Sequence, residues 1–295
     1  VDAERWTEID RDLSRTMQRN GLIDMAPEPS VRPDGDHVLR MGRLRKLERL
    51  GLASEIAPGQ WTLAGDAQAA LRELGERDDI IKRMHKAMSD RGIDRGAGSY
   101  VLDADPAQPV IGRLVDRGLH DELTGKAYAI VDGIDGRTHH VQLPDIEATG
   151  DCRPGAIVEL RRFEDRKGRQ RVALAVRSDM DLEAQVRAPG ATWLDRRNLS
   201  GDGHDLGGGF GTEVRAAMEA RAEHLADEGL ARRQGQRIIF ARNLLDTLRR
   251  RELDEAAKDL SAEIGLPHAP SKAGEYVAGT VRQRITLASG RFAMI

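Results

Sequence analysis

Apolar residues at Trp6, Ile9, Leu13 and Met17 recur at helical spacing and Asn20-Gly21 supplies a stop, so the pattern predicts a helix over 6–20. The stretch APEPSVRPDGD, 26–36, predicts a loop. From Val38 to Leu50 the apolar positions Met41, Leu44, Leu47 and Leu50 fall on one side of a helix, with Arg45, Lys46 and Arg49 on the other. Gly51 can end that helix in the left-handed conformation. ASEIAPGQWTLAG then predicts two short strands around a Pro-Gly turn, and Asp66 caps a helix from about Ala67 to Ser89. Helix, helix, hairpin, helix is the order of a winged helix.

The period then changes. VIGRLVDRGL, KAYAIVD, RTHHVQL, GAIVELRRF and RQRVALAVRSD are short β-rich segments, with GIDG and DRKG as hairpin turns. Together they predict a small closed barrel of the OB or SH3-like kind, because closure removes sheet edges. After SGDGHDLGGGFG, which reads as a linker, helical spacing resumes at Val214, Met218, Ala222 and Leu225. Aligning Gly51 with Gly229 sets Leu47 against Leu225, Leu52 against Leu230 and Ala53 against Ala231, so one helix-hairpin-helix unit is expected twice. The closing SGRFAMI reads as a strand with no turn after it. The expectation is a multidomain α+β chain: a winged-helix-like unit over 1–95, a small β-barrel over 96–182, a second winged-helix-like unit over 183–265 and a truncated β element over 266–295.

Composition narrows the setting. With 39% apolar content in 295 residues the chain can bury cores, and no stretch approaches the roughly 18 consecutive apolar residues of a membrane span. One cysteine, Cys152, excludes an internal disulfide, and the N-terminus lacks a basic, apolar, small-residue signal; a soluble cytoplasmic protein without membrane insertion is expected. The opening VDAERW lacks an initiator methionine, which together with the apolar end suggests a fragment. Lys and Arg total 46 against 49 Asp and Glu, so attraction to nucleic acid must come from local patches.

The strings RLRKLERLGLA, YAIVDGIDGRTHH, PGAIVELRRFEDR, APGATWLDR, RAEHLADEGLARRQGQ and SGRFAMI resemble the C-terminal region of bacterial conjugative relaxases, the relaxase/mobilisation nucleases, over nearly the whole chain. The resemblance implies an accessory role beside an N-terminal domain that nicks transfer-origin DNA and is exported with it through a type IV secretion channel. Nicking needs a tyrosine and a metal held by histidines that point to one face of a strand. His139 and His140 are adjacent, so on a strand they point to opposite faces; the reading is that one packs inside and the other meets solvent. Tyr100, Tyr128 and Tyr276 have no histidine cluster beside them. GGGFG lacks the lysine of a phosphate loop, and G-x-S-x-G, H-E-x-x-H and Cys-x-x-Cys do not occur. No enzymatic activity, metal or cofactor is expected of this chain.

DNA binding fits better. Candidate contacts are Arg40, Arg43, Arg45, Lys46 and Arg49 on the 38–50 helix, and Arg161, Arg162, Lys167 and Arg169 around the DRKG hairpin with Arg166 and Arg171 beside them. Arg232, Arg233 and Arg237 on the second unit's hairpin complete the set. Aromatic residues are only 3% of the chain, which disfavours a stacking site for single strands and favours weakly sequence-specific duplex binding. Trp6, Trp61 and Trp193 read as core anchors. The competing expectation is a docking module for the coupling protein of the secretion channel or for relaxosome accessory proteins, with the acidic helix 212–228 as its surface.

Overall fold

The computed structural model describes residues 2–26, 34–102, 108–201, 205–235, 237–265, 269, 275–276 and 278–294. Parts of the expected 26–36 loop, of the glycine-rich linker, of the second hairpin's tip and of the start of the terminal β element lie outside the described residues. The chain is α+β and divides into two compact units, Val1–Arg83 and Met84–Ile295.

In the first unit Thr7 caps α1 (Glu8–Asn20), and Gly21, at φ 76°, ends it. There follow β1 (Ile23–Asp24), α2 (Gly35–Arg49), β2 (Ala53–Ala57), β3 (Gln60–Leu63) and α3 (Ala67–Ser89), within which the unit boundary falls. The strands form a sheet in the order β1-β3-β2. Leu13, Ile23, Leu44, Leu47, Trp61 and Leu71 make its core, with Trp6 packed against it, as the apolar spacing predicts.

Two charged residues sit fully buried among them, Arg43 and Asp10. Arg43, expected on a DNA-facing surface, points inward from α2 and forms a two-bond ion pair with Asp10, Nε to Oδ1 at 2.7 Å and Nη2 to Oδ2 at 2.8 Å. Its Nη1 and Nη2 also donate to the carbonyls of Ala3 and Arg5. Asp10 is at the same time the third residue of α1, and its carboxylate accepts from both the N–H and the hydroxyl of Thr7, each at 2.7 Å. A capping box and a buried ion pair thus share one carboxylate.

The second unit is built on a six-stranded sheet of β4 (Tyr100–Leu102), β5 (Val110–Asp121), β6 (Lys126–Gly133), β7 (Thr138–Leu143), β8 (Ile157–Glu164) and β9 (Gln170–Ser178), ordered β4-β7-β6-β5-β8-β9. The expected barrel is not formed: β4 and β9 are the two edges and do not pair, so the sheet is open. β4, too short to be read from the sequence, adds in parallel to the edge of β7 that closure would need. At the other end, among the described residues, β8 pairs with β5 from Ile157 to Leu160. Val110, Leu114, Ala129, Val131, Val141 and Val158 form a core on one face under Cys152.

After the sheet come α4 (Leu182–Arg187), α5 (Trp193–Ser200), α6 (Phe210–Asp227), β10 (Ala231–Gln234), β11 (Arg237–Phe240), α7 (Leu244–Ile264), β12 (Gln283–Leu287) and β13 (Gly290–Met294). Extending the Gly51–Gly229 alignment sets Arg43 opposite Arg221, and the geometry repeats bond by bond. Thr192 and Asp195 form a capping box on α5, and Arg221, fully buried on α6, pairs with Asp195 through Nε at 2.8 Å and Nη2 at 3.0 Å. Its Nη1 and Nη2 reach the carbonyls of Ala188 and Gly190, which precede Thr192 by the same intervals as Ala3 and Arg5 precede Thr7. Both α2 and α6 end at a left-handed glycine, and Leu52 and Leu230 each donate back to the leucine five residues earlier at 2.8 Å.

Two contacts knit this second module into its unit. The described part of the glycine-rich connection is packed: Gly207 N–H donates to Ile134 O at 2.7 Å, and a Cβ on Gly207 would lie 2.1 Å from the Asp135 carbonyl. The turn of the terminal hairpin β12–β13 is held by Glu252 of α7, which accepts from Ala288 N–H at 2.8 Å and Ser289 N–H at 2.9 Å, while Arg291 pairs with Asp151 and Asp179. Gly207→Ala is expected to destabilise the second unit by about 1–3 kcal/mol through this backbone clash, read as a lower midpoint in denaturant unfolding; Gly208→Ala, with nothing within 4 Å, is the control.

Candidate nucleic-acid interface

Among the described residues, no third strand pairs with the β8–β9 pair beyond Leu160. Its register is Arg161 to Ala173, Arg162 to Val172, Phe163 to Arg171 and Glu164 to Gln170. The turn Asp165–Gly168 closes it, with Asp165 N–H donating to Arg169 O at 2.9 Å and Gly168 at φ 73°. This ribbon carries Arg161, Arg162, Arg166, Lys167, Arg169 and Arg171 against Glu164 and Asp165. Phe163, 49% exposed, stands among them.

Asp165 organises the tip. Its carboxylate accepts from the N–H groups of Lys167 at 2.8 Å and Arg169 at 3.0 Å, and from the guanidinium Nε of Arg169 at 3.1 Å and of Arg171 at 3.2 Å. The Arg169 backbone N–H, followed by that of Lys167 and by the two guanidinium groups, holds the carboxyl below its ordinary value against a smaller desolvation effect. Nearer the sheet, Arg161 and Arg177 both pair with Glu159. Arg162, Arg166 and Lys167 are exposed.

The other sequence candidates separate into three groups. Arg45 and Arg49 of α2 are exposed, as are Arg232 and Arg237 on the β10–β11 hairpin. Arg40 pairs with Asp36 at 2.7 Å, Lys46 is mostly buried against Glu4 at 2.6 Å, and Arg233 pairs with Glu223. Arg43 is interior and is withdrawn from the surface set. The acidic side of α6 is also engaged within the chain: Glu213 binds Arg95 and Arg113, which both reach the buried Asp132, and Glu228 lies 3.9 Å from Arg251.

His139 and His140 lie on opposite faces of β7, yet both are buried, which corrects the expectation that one meets solvent. His139 Nε2 bonds Asp135 at 3.0 Å, and His140 stacks on Tyr128 with ring centroids 5.4 Å apart. Tyr128 in turn donates to Asp116 at 2.8 Å. Among the described residues no group of three His, Cys, Asp or Glu side chains could hold a metal ion, and no helix is long and apolar enough to cross a membrane.

Two modules on one buried Arg–Asp frame and a sheet ending in a basic ribbon define an α+β chain of repeated helix-hairpin-helix units. It belongs to the family described as "Protein of unknown function (DUF3363)", whose model matches residues 40–167 and 161–295. No curated protein and no solved structure matches the chain.

Since the Asp165 pKa is depressed by folding, the tip's bonds are present above the ordinary carboxylate range and are lost as pH falls through the lowered value. An NMR titration of its carboxyl is expected to give a midpoint below that of an ordinary aspartate. Asp165→Ala is expected to speed amide exchange at Lys167 and Arg169 while leaving global stability nearly unchanged, because among the described residues the ribbon packs against no third strand.

Proposed function

We propose that this chain binds duplex DNA through the backbone phosphates, with the β8–β9 ribbon as its principal contact. The carrying observation is the ribbon itself: a two-stranded antiparallel element, dense in arginine and lysine, that pairs with no third strand among the described residues. The major groove admits such an element, and its cations neutralise flanking phosphates. Phe163 at its flank can contact thymine methyl groups or sugars.

The two helix-hairpin-helix modules are, on this reading, of the winged-helix kind, and Arg45 and Arg49 of α2 with Arg232 and Arg237 of the second hairpin supply further phosphate contacts. The sheet order β1-β3-β2 behind α2 supports that reading for the first module. The resemblance to conjugative relaxases supplies the setting: an accessory DNA-handling region beside a nicking domain, in a protein that travels through a type IV channel.

Fluorescence anisotropy of the chain on labelled duplex across a salt series tests this. Affinity is expected to fall with a log–log salt slope of about −3 to −5, at roughly 0.9 per phosphate contact. The pair Arg166→Glu and Lys167→Glu is expected to reduce affinity by about tenfold or more with an unchanged melting temperature. Absence of duplex binding at low salt, or an affinity indifferent to both ribbon substitutions, contradicts the reading.

A further inference from the structure

The two modules share a frame but not a filling. In the first, Leu13 of α1, Leu44 of α2 and Trp61 of β3 are fully buried around Ile23 of β1. The shared Arg–Asp pair and the matching bonds of Ala64 to Leu52 and Ala241 to Leu230 fix the equivalent positions in the second as Asn198, Ala222 and Ile238. Two of the three are much smaller, and the third is polar.

Among the described residues no strand takes the place of β1 either. In the first module the α1–α2 connection supplies β1, which pairs Ile23 with Trp61 and Asp24 with Gln60. In the second, the α5–α6 connection is drawn instead to the β6–β7 turn by the Gly207 to Ile134 bond, and among the described residues β11 pairs with β10 alone. What results is a groove of about 330 Å³ between α5, α6, β11 and Leu206 of the connection, lined by Asn198, Arg215, Met218, Glu219, Ala222 and Ile238. The Ala241 N–H to Leu230 O bond sets the antiparallel alternation, so the N–H and C=O groups of Ile238 and Phe240 point away from β10 toward this groove. They correspond to the groups of Trp61 and Leu63 on the side where β1 lies.

We propose that the groove takes an extended, acidic segment of a partner protein, which adds to β11 as an antiparallel strand and seats one large apolar side chain against Ala222 and Ile238. The chemistry of the occupant is set by the module's own twin, in which that place is held by an isoleucine followed by an aspartate. Arg215 on the wall and the exposed Arg232 and Arg237 on the hairpin favour the same acidic character over Glu219. Edge-strand addition of this kind draws affinity from backbone bonds and specificity from one pocket.

The inference shares Arg232 and Arg237 with the DNA reading but makes no use of the β8–β9 ribbon. Its test is anisotropy of a labelled heptapeptide, NGLIDMA, copied from residues 20–26, titrated with the full chain. Saturable binding with a Kd on the order of 10 μM is expected, weakened about tenfold when the peptide carries Asp24→Lys. Ala222→Leu, which restores the side chain of Leu44, and Ile238→Pro, which removes a groove-facing N–H but no β10 bond, are each expected to weaken binding about tenfold. Ala222→Leu should leave the melting temperature unchanged or raised. The ribbon pair Arg166→Glu and Lys167→Glu should leave peptide binding intact, so the two proposals fail separately. Absence of saturable binding, or binding unchanged by Ala222→Leu, overturns the proposal. So does a dimer of the wild-type chain that Ala222→Leu dissociates, since the occupant would then be a second copy.

Discussion

A buried arginine bound to a helix-capping aspartate is the constraint on which both modules rest. Two opposite charges taken out of water are costly unless each remaining donor and acceptor finds a partner. Here Arg43 and Arg221 find theirs in the same places: both carboxylate oxygens of the aspartate and carbonyls of the segment leading into the capped helix. The aspartate also accepts from the capping threonine's N–H and hydroxyl. One side chain therefore fixes the start of the first helix, the path of the chain before it and the rotation of the second helix, whose opposite end is set by a left-handed glycine.

With the frame fixed, the filling was free to differ. The first module fills the space behind its hairpin with Trp61, Leu44, Leu13 and a strand, and so closes on itself. The second puts Ile238, Ala222 and Asn198 there and sends the connecting chain to the glycine turn of the neighbouring sheet. That contact is possible because Gly207 and Gly211 let two backbones meet at distances a Cβ would forbid. The same frame thus carries a closed filling in the first module and, among the described residues, an open one in the second, which is coupled to the sheet that carries the ribbon.

Local order was legible in the sequence: α1, α2, α3, the hairpins and the repeat follow from apolar spacing, capping residues and Gly51 with Gly229. What was not legible depended on remote partners. Arg43 counts as a basic face when only its own helix is read, because periodicity cannot reveal that Asp10 waits opposite it. Lys46 and Arg233 are likewise paired with Glu4 and Glu223, and Glu213 and Glu228 with Arg95, Arg113 and Arg251. Closure of the sheet was also beyond local pattern, since it turned on β4, three residues whose pairing with β7 is parallel and non-local. The ribbon was visible as a charge cluster, whereas the end of its pairing with β5 at Leu160, among the described residues, came only from the register.

The most direct test of the shared frame is a pair of double-mutant cycles, Arg43→Met with Asp10→Asn and Arg221→Met with Asp195→Asn, read by hydrogen exchange resolved to each unit. Each single change is expected to cost its own unit about 3–5 kcal/mol, because it leaves a buried charge uncompensated, and each double change to cost clearly less than the sum. Additive costs, or a near-neutral effect of either arginine substitution alone, would contradict the account of both modules as copies held by one buried pair.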